Sequence, residues 1–223
     1  MTQRILFIGN SYTHCNLLPK QLENLYRSSG GAIATQMVTT GGWTLEQHWN
    51  DTRSRPLLTN CAWDYVVLQE QTRRPYEDTA KYHEYVRKFD GEIRACGAKT
   101  LLYLTWAPGA EPERQSELNA SIGAIGREIG ARVVPSGVAF ELVRKEAPQI
   151  RLYVPSDNRH PSPSGTYLSA CVFFAALSGR SPEGLSAAAF EGEDEQAGAI
   201  ELPKNEAVAL QTAAWHTLRE WKS

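Results

Sequence analysis

Short apolar runs alternate along the 223-residue chain with longer segments in which apolar residues recur at helical spacing. The runs that are interpreted as strands are residues 4–8, 33–39, 65–69, 100–105 and 132–134. This alternation is typical of a parallel β-sheet that is covered by helices on both faces. The sequence therefore predicts an α/β protein, and its length favours one domain spanning residues 1–223.

Apolar stripes place helices between these strands. Three of the stripes are Leu18, Leu22 and Leu25, then Tyr82, Val86, Phe89 and Ile93, and then Leu118, Ile122, Ile125 and Ile129. Further helices are expected up to about residue 146, after the pair Ser162-Pro163, and at the carboxyl terminus. Residues 178–204 are interpreted as a surface connection with some helix near residues 186–190.

Charge and cysteine usage exclude several classes of protein. The net charge of −2, spread along the chain, gives no basic surface for nucleic acid or for an anionic membrane. The four cysteines form no Cys-x-x-Cys pair, so we expect buried free thiols and neither metal nor cofactor. The start of the chain leaves no room for a signal peptide, and no run of about 18 apolar residues follows. A cytoplasmic protein is expected, and its oligomeric state is left open.

Ser11 stands directly after the first apolar run, in Gly9-Asn10-Ser11. Open parallel sheets place their chemistry at the carboxyl ends of their strands. Far downstream, Asp157 and His160 lie three residues apart in a proline-flanked loop. Serine, histidine and aspartate together suggest a nucleophile, its base and the group that orients the base. Taken singly, Gly-Asn-Ser is also an ordinary turn and Asp-x-x-His an ordinary loop.

Polar groups that could bind an oxyanion follow the second and third strands. The second strand ends in a glycine pair, and the backbone N–H of Gly42 could approach a substrate oxygen. The third strand ends in Gln69-Glu70-Gln71, where a glutamine amide could donate to an oxyanion. Trp43 and Trp106 follow the second and fourth strands and could border a pocket.

These motifs, in this order, resemble the SGNH hydrolases, also called the GDSL esterase and lipase superfamily, over nearly the whole chain. The resemblance implies a three-layer α/β/α sandwich with a flavodoxin-like sheet of order 2-1-3-4-5. It implies that Ser11 is the nucleophile, His160 the general base and Asp157 its orienter, with the N–H groups of Ser11 and Gly42 in the oxyanion hole. The implied activity is hydrolysis of a small acyl ester, acetyl first, on a carbohydrate or another polar conjugate.

The third motif departs from the family pattern, which usually has Gly-x-Asn-Asp at this place. Here Gln71 aligns with the glycine and Arg73 with the asparagine that completes the oxyanion hole. Gln71 is the first substitute considered and Gln69 the second. Arg73 is the third, because a guanidinium can stabilise an oxyanion or bind a carboxylate. Candidate substrate-binding residues are Asn10, Trp43, Arg73 and Trp106.

Two other functions remain open from the sequence. One is an SGNH-like domain that binds a glycan or an anion at the strand ends without hydrolysing it. The other is a doubly wound domain that binds a nucleotide, which the absence of Gly-x-Gly-x-x-Gly and of a P-loop sequence disfavours.

Overall fold

The central element of the computed structural model, which describes residues 2–59, 62–192 and 197–221, is a sheet of five parallel strands. The strands are β1 (Gln3–Gly9), β2 (Ile33–Thr39), β3 (Tyr65–Leu68), β4 (Lys99–Tyr103) and β5 (Arg132–Val134). Their order is β2-β1-β3-β4-β5, and every neighbouring pair is parallel. The predicted sheet order is confirmed, and the strand limits agree with the predicted ones to within two residues.

Helices cover both faces of this sheet. They are α1 (Ser11–His14), α2 (Leu18–Ser28), α3 (Leu45–Asn50), α4 (Ser54–Thr59), α5 (Arg74–Glu77), α6 (Thr79–Ala95), α7 (Gln115–Ile129), α8 (Ser136–Glu146), α9 (Pro163–Ser178) and α10 (Lys204–Glu220). Short 3₁₀ helices occupy Cys15–Leu17 and Pro112–Arg114. Among the described residues, no helix is long and apolar enough to cross a membrane.

The side chains of β1 divide the apolar core in two, because successive residues of a strand face opposite sides of the sheet. Ile5 and Phe7 pack with α2, α8, α9 and α10 on one face. Leu6 and Ile8 pack with α3, α4, α6 and α7 on the other. Helix α9 packs against α2, α8 and α10 and is buried on all sides over most of its length. Its lack of a polar face follows from this position. The three-layer α/β/α architecture is thereby confirmed.

The segment after α9 differs from the sequence prediction. Where some helix was expected, β6 (Ala188–Glu191) pairs with β7 (Gly198–Glu201) as an antiparallel hairpin. Alanine favours helix intrinsically, but tertiary contacts decide here. β6 packs on the first 3₁₀ helix and on α9, and the Gln21 amide donates to the Ala188 carbonyl at 2.5 Å.

The cysteines also differ in part from expectation. Cys15 and Cys171 are buried and are not disulfide-bonded, as the sequence predicts. Cys96 is disulfide-bonded, so the expectation of free thiols throughout is wrong for this residue.

Gly137, in the first turn of α8, approaches the chain after β4 too closely for any side chain. A Cβ at this position would lie 2.2 Å from the Thr105 carbonyl oxygen. We expect Gly137→Ala to lower the free energy of unfolding by about 1–3 kcal/mol, because backbone must move to relieve the contact. The matched control is Gly91→Ala in α6, where no atom lies within 4 Å of the added carbon. It should raise stability by roughly 0.5–1 kcal/mol. Urea unfolding measures both, and equal stabilities would contradict the prediction.

Candidate active site

A polar cavity of about 380 Å³ lies at the carboxyl ends of the central strands. It is lined by Asn10, Ser11, Tyr12, His14, Gly41, Gly42, Gln71, Thr72, Arg73, Pro108, Arg159 and His160. A larger groove of about 620 Å³ lies at the opposite edge of the sheet and contains none of the predicted site residues. Ligands of open parallel sheets bind at the carboxyl ends of the strands, so the smaller cavity is the candidate site.

Ser11, His160 and Asp157 form a chain of hydrogen bonds at this cavity. Ser11 Oγ lies 2.9 Å from His160 Nε2, and His160 Nδ1 contacts Asp157 Oδ2. The other carboxylate oxygen accepts the backbone N–H groups of Arg159 at 2.9 Å and His160 at 3.0 Å. Burial raises the pKa of Asp157, but these hydrogen bonds more than offset it and hold the pKa below its ordinary value. The ionised carboxylate therefore orients the imidazole with Nε2 towards the serine, the arrangement of a serine hydrolase.

The loop that carries Asp157 and His160 is fixed by backbone hydrogen bonds. The Val154 N–H donates to the His160 carbonyl at 2.9 Å, and the Gly109 N–H donates to the Asn158 carbonyl at 2.8 Å. Asn158 has a left-handed φ of 49°, a conformation that asparagine tolerates better than most residues. A Cβ at Gly109 would lie 2.4 Å from the Asn158 side chain, which would have to move to admit it. The imidazole is thus positioned by a hydrogen-bonded turn.

Gln69 is hydrogen-bonded within the protein by both ends of its amide. Its Oε1 accepts hydrogen bonds from the Asn10 N–H at 2.7 Å and from the Thr13 hydroxyl at 2.9 Å. Its Nε2 donates to Asn10 Oδ1 at 2.9 Å and to the Glu70 carbonyl at 2.6 Å. Both donors of this fully buried amide are therefore used, and the structure does not support Gln69 in the oxyanion hole. Asn10 is likewise engaged, since its Nδ2 donates to the Trp43 carbonyl at 2.9 Å. One of its two amide hydrogens is therefore used to hold the turn beside Ser11.

The sequence analysis considered Trp43 and Trp106 as residues that border the pocket, but neither lines the cavity. Trp106 is buried and stacks between Tyr12, at 4.8 Å, and Phe140, at 3.8 Å between ring centroids. Its Nε1 donates to the Arg159 carbonyl at 2.9 Å, so it supports the loop next to His160 from beneath. Trp43 is not among the residues that line the cavity either. The positions of the two tryptophans after strands correctly placed them near the cavity. These positions could not show whether each indole ring faces the cavity or packs behind its lining.

Gln71 keeps a donor available at the cavity. Its Oε1 accepts the backbone N–H groups of Arg73 at 2.9 Å and Arg74 at 3.1 Å, at the start of α5. Those N–H donors fix the orientation of the amide, because only the oxygen can accept from them. In the part of the chain that the structure describes, Nε2 has no hydrogen-bond partner. Arg73 also lines the cavity, but its guanidinium forms ion pairs with Glu111 and, at 3.8 Å, with Glu77.

Glu70 is a functional candidate that the sequence did not reveal. Its Oε1 accepts the Gln71 N–H at 2.7 Å and the Leu45 N–H at 3.2 Å. The carboxylate thus ties the loop after β3 to the start of α3, directly after the turn that contains Gly42. Burial raises the pKa of Glu70 to about 7. An acidic residue between two glutamines at a strand end was the only signal in the sequence.

His48 is a second supporting residue that becomes visible only in the structure. The fully buried imidazole contacts the Gly9 carbonyl with Nε2 at 2.7 Å and the Ser54 hydroxyl with Nδ1 at 3.0 Å. Desolvation lowers its pKa, so the neutral form is favoured. It therefore satisfies the last carbonyl of β1, immediately below the Asn10-Ser11 turn.

Comparisons with known proteins identify the fold. No family model and no curated protein matches the chain. A DUF4886 family protein from Bacteroides uniformis shares 18% identity at a TM-score of 0.72, over 99% of this chain and 96% of that one. A candidate SGNH hydrolase from Slackia heliotrinireducens shares 27% identity at a TM-score of 0.66, over 79% of this chain and 100% of that one. An acetyl-xylooligosaccharide esterase from Geobacillus shares 16% identity at a TM-score of 0.59, over 79% of this chain and 94% of that one. The chain has the fold of SGNH hydrolases.

Titration of Glu70 should lower stability as the pH rises. The carboxyl ionises near its ordinary pKa of 4.5 when unfolded and near 7 when folded. Between these values the folded state binds more protons, so the free energy of unfolding falls with increasing pH. Glu70→Gln keeps an oxygen acceptor and removes the titration. We expect the stability of this variant relative to wild type to increase from pH 4.5 to 7 by on the order of 2–3 kcal/mol.

The measurement is urea unfolding at a series of pH values. The control is Glu46→Gln, because the hydrogen bond from Arg74 holds the pKa of Glu46 below its ordinary value. Its stability relative to wild type should stay level above about pH 5.5. A level difference for Glu70→Gln across the whole window would refute the assignment of a buried, titrating carboxyl.

Proposed function

We propose that the protein is a member of the SGNH hydrolases that hydrolyses a small acyl ester, with Ser11 as nucleophile. The observation that carries this proposal is the Ser11–His160–Asp157 hydrogen-bond chain at the carboxyl edge of a sheet with the SGNH fold. Similar structures include an esterase, and a serine, an imidazole and a carboxylate joined in this order support acyl transfer to serine.

The proposed reaction begins with proton transfer from Ser11 Oγ to His160 Nε2 as the oxygen attacks the ester carbonyl. Asp157 stabilises the imidazolium that forms. His160 then returns the proton to the leaving alcohol, which leaves an acyl group on Ser11. Water, deprotonated by the same imidazole, attacks this acyl-enzyme and releases the acid.

Three donors are proposed to stabilise the oxyanion. The Ser11 N–H lies at the start of α1, where backbone donors have no partner within the helix. Gly42 lines the cavity with a left-handed φ of 72°, which a residue with a side chain rarely adopts. Gln71 Nε2 is the third donor and replaces the asparagine of the usual family pattern. Such donors act where negative charge develops in the transition state.

The proposed substrate is an acetyl or similarly small ester on a carbohydrate or another polar conjugate. The cavity is small and lined mainly by polar residues, which suits a polar substrate better than a long acyl chain.

The cytoplasmic location expected from the sequence is opposed by the disulfide at Cys96, because such bonds persist mainly in oxidising compartments. A domain that binds a glycan or an anion without hydrolysis is the second candidate, favoured only by the altered third motif.

Ser11→Ala should abolish hydrolysis of an aryl acetate, with a loss of more than about 10³-fold in turnover. The fold should be unchanged, because the only hydrogen bond of the Ser11 hydroxyl within the described residues joins it to His160. The measurements are the rate of phenol release and the thermal unfolding midpoint. A fluorophosphonate should label wild-type Ser11, as intact mass and peptide mapping will show. Full activity in the variant would refute the nucleophile, and absence of labelling in folded wild type would favour binding without hydrolysis.

Gln71→Ala should lower turnover by roughly 10²- to 10³-fold, the usual cost of one oxyanion donor. Gln71→Glu is the matched variant, because it retains an oxygen for the N–H groups at the start of α5 and loses the donor. It should lose at least as much activity. Gln69→Ala should instead lower the unfolding free energy, by about 1–3 kcal/mol, because it leaves buried donors without acceptors. The reverse ranking of the two alanine variants in turnover at matched folding would move the oxyanion role to Gln69.

A further inference from the structure

Two arginine side chains stand at the candidate active site. Arg73 and Arg159 line the cavity, and none of its described lining residues is acidic. The whole chain carries a net charge of −2, so this local excess of positive side chains is not a reflection of the average surface. A cleft lined by one sign of charge attracts ligands of the opposite sign.

The two arginines differ in what already neutralises them. Arg73 forms ion pairs with Glu111 and Glu77. In the described part of the chain, Arg159 has no acidic group within ion-pair distance of its guanidinium. Asp157 is near in sequence, but its carboxylate accepts hydrogen bonds from His160 and from two backbone N–H groups. Of the two arginines at the cavity, Arg159 is therefore the one whose positive charge is not neutralised by an ion pair within the described residues.

The backbone of Arg159 is held on both sides, although its side chain is exposed. Its N–H donates to Asp157 Oδ1 at 2.9 Å, and its carbonyl accepts from Trp106 Nε1 at 2.9 Å. The first contact belongs to the proposed triad and the second to a buried indole. The guanidinium consequently extends from a fixed point beside His160, which distinguishes it from an arginine on a mobile surface loop.

We propose that Arg159 binds an anionic group on the alcohol portion of the substrate; this inference rests on the proposed esterase function. His160 gives its proton to the leaving oxygen, so the alcohol departs on the side of the loop that carries both residues. A guanidinium binds the oxygens of a carboxylate, phosphate or sulfate in a planar, bidentate manner. The substrate class is therefore an acyl ester of an alcohol that carries one of these anions.

The test compares two aryl acetates of nearly equal shape, 4-acetoxybenzoate and its neutral analogue 4-acetoxybenzamide. The measured quantity is the ratio of their kcat/KM values, carboxylate to amide, in wild type and in variants. Intrinsic reactivity of the two esters cancels when ratios are compared between proteins. We expect Arg159→Gln to lower the ratio by roughly three- to fivefold, as for an exposed ion pair. Added salt should lower the wild-type ratio and have less effect on the variant.

Two further variants sharpen the comparison. Arg73→Gln should lower the ratio less than Arg159→Gln, because Arg73 is already paired. Arg151→Gln removes an equal charge from an exposed residue outside the cavity and should leave the ratio unchanged. Labelling of each variant by a fluorophosphonate shows that the serine is still activated.

The outcomes separate the inference from the proposed function. Hydrolysis of both esters with the same ratio in wild type and Arg159→Gln overturns the inference and leaves the esterase intact. A second pair, 4-nitrophenyl hemisuccinate and 4-nitrophenyl butyrate, carries the anion on the acyl portion instead. Dependence on Arg159 in this pair alone overturns the assignment to the alcohol portion. Failure of wild type to hydrolyse any of these esters, together with absent labelling, overturns both proposals.

Discussion

The hydrogen bonds between the Gln69 amide and Asn10 hold the candidate site together. Backbone pairing between β1 and β3 ends where the Gln69 N–H donates to the Ile8 carbonyl. Beyond that point the chains diverge, and Gln69 Oε1 takes the place of the next backbone acceptor for the Asn10 N–H. The amide lies so close that a Cβ at Gly9 would be 2.5 Å from its oxygen. The glycine before Asn10 is therefore required by this contact, and the serine that follows is placed by it.

The three polar residues after β3 bind three different elements. Gln69 holds the turn before Ser11, Glu70 holds the start of α3 beyond Gly42, and Gln71 holds the start of α5. One short segment thus fixes two of the proposed oxyanion donors relative to each other and supplies the third. Burying the Glu70 carboxylate is costly, and perturbed carboxyl groups of this kind cluster at functional sites. Its two backbone donors compensate part of the cost, which makes the position of the Gly42 turn depend on it.

Local sequence patterns predicted the strands, the helical stripes and the approach of Ser11 to the Asp157–His160 loop. Each depends on periodicity or on the rule that parallel strands end at one edge. The roles of Gln69 and Gln71 could not be separated in this way, because both are glutamines two residues apart and only their partners differ. The β6–β7 hairpin was missed for a related reason. Its strands are defined by packing on α9 and on the first 3₁₀ helix, not by their own composition.

The site therefore consists of buried supporting residues and of residues whose polar side chains are exposed to the cavity. Asn10, Gln69 and Trp106 are buried and hydrogen-bonded to other parts of the protein, so a change there alters stability first. Gln71 and Arg159 have rigidly held backbones and polar side-chain groups without protein partners in the described structure. A substitution at either residue can alter how a substrate is bound without any repacking of the core. The buried residues therefore hold Ser11 and His160 in place, while Gln71 and Arg159 present polar groups that the described part of the protein does not itself use.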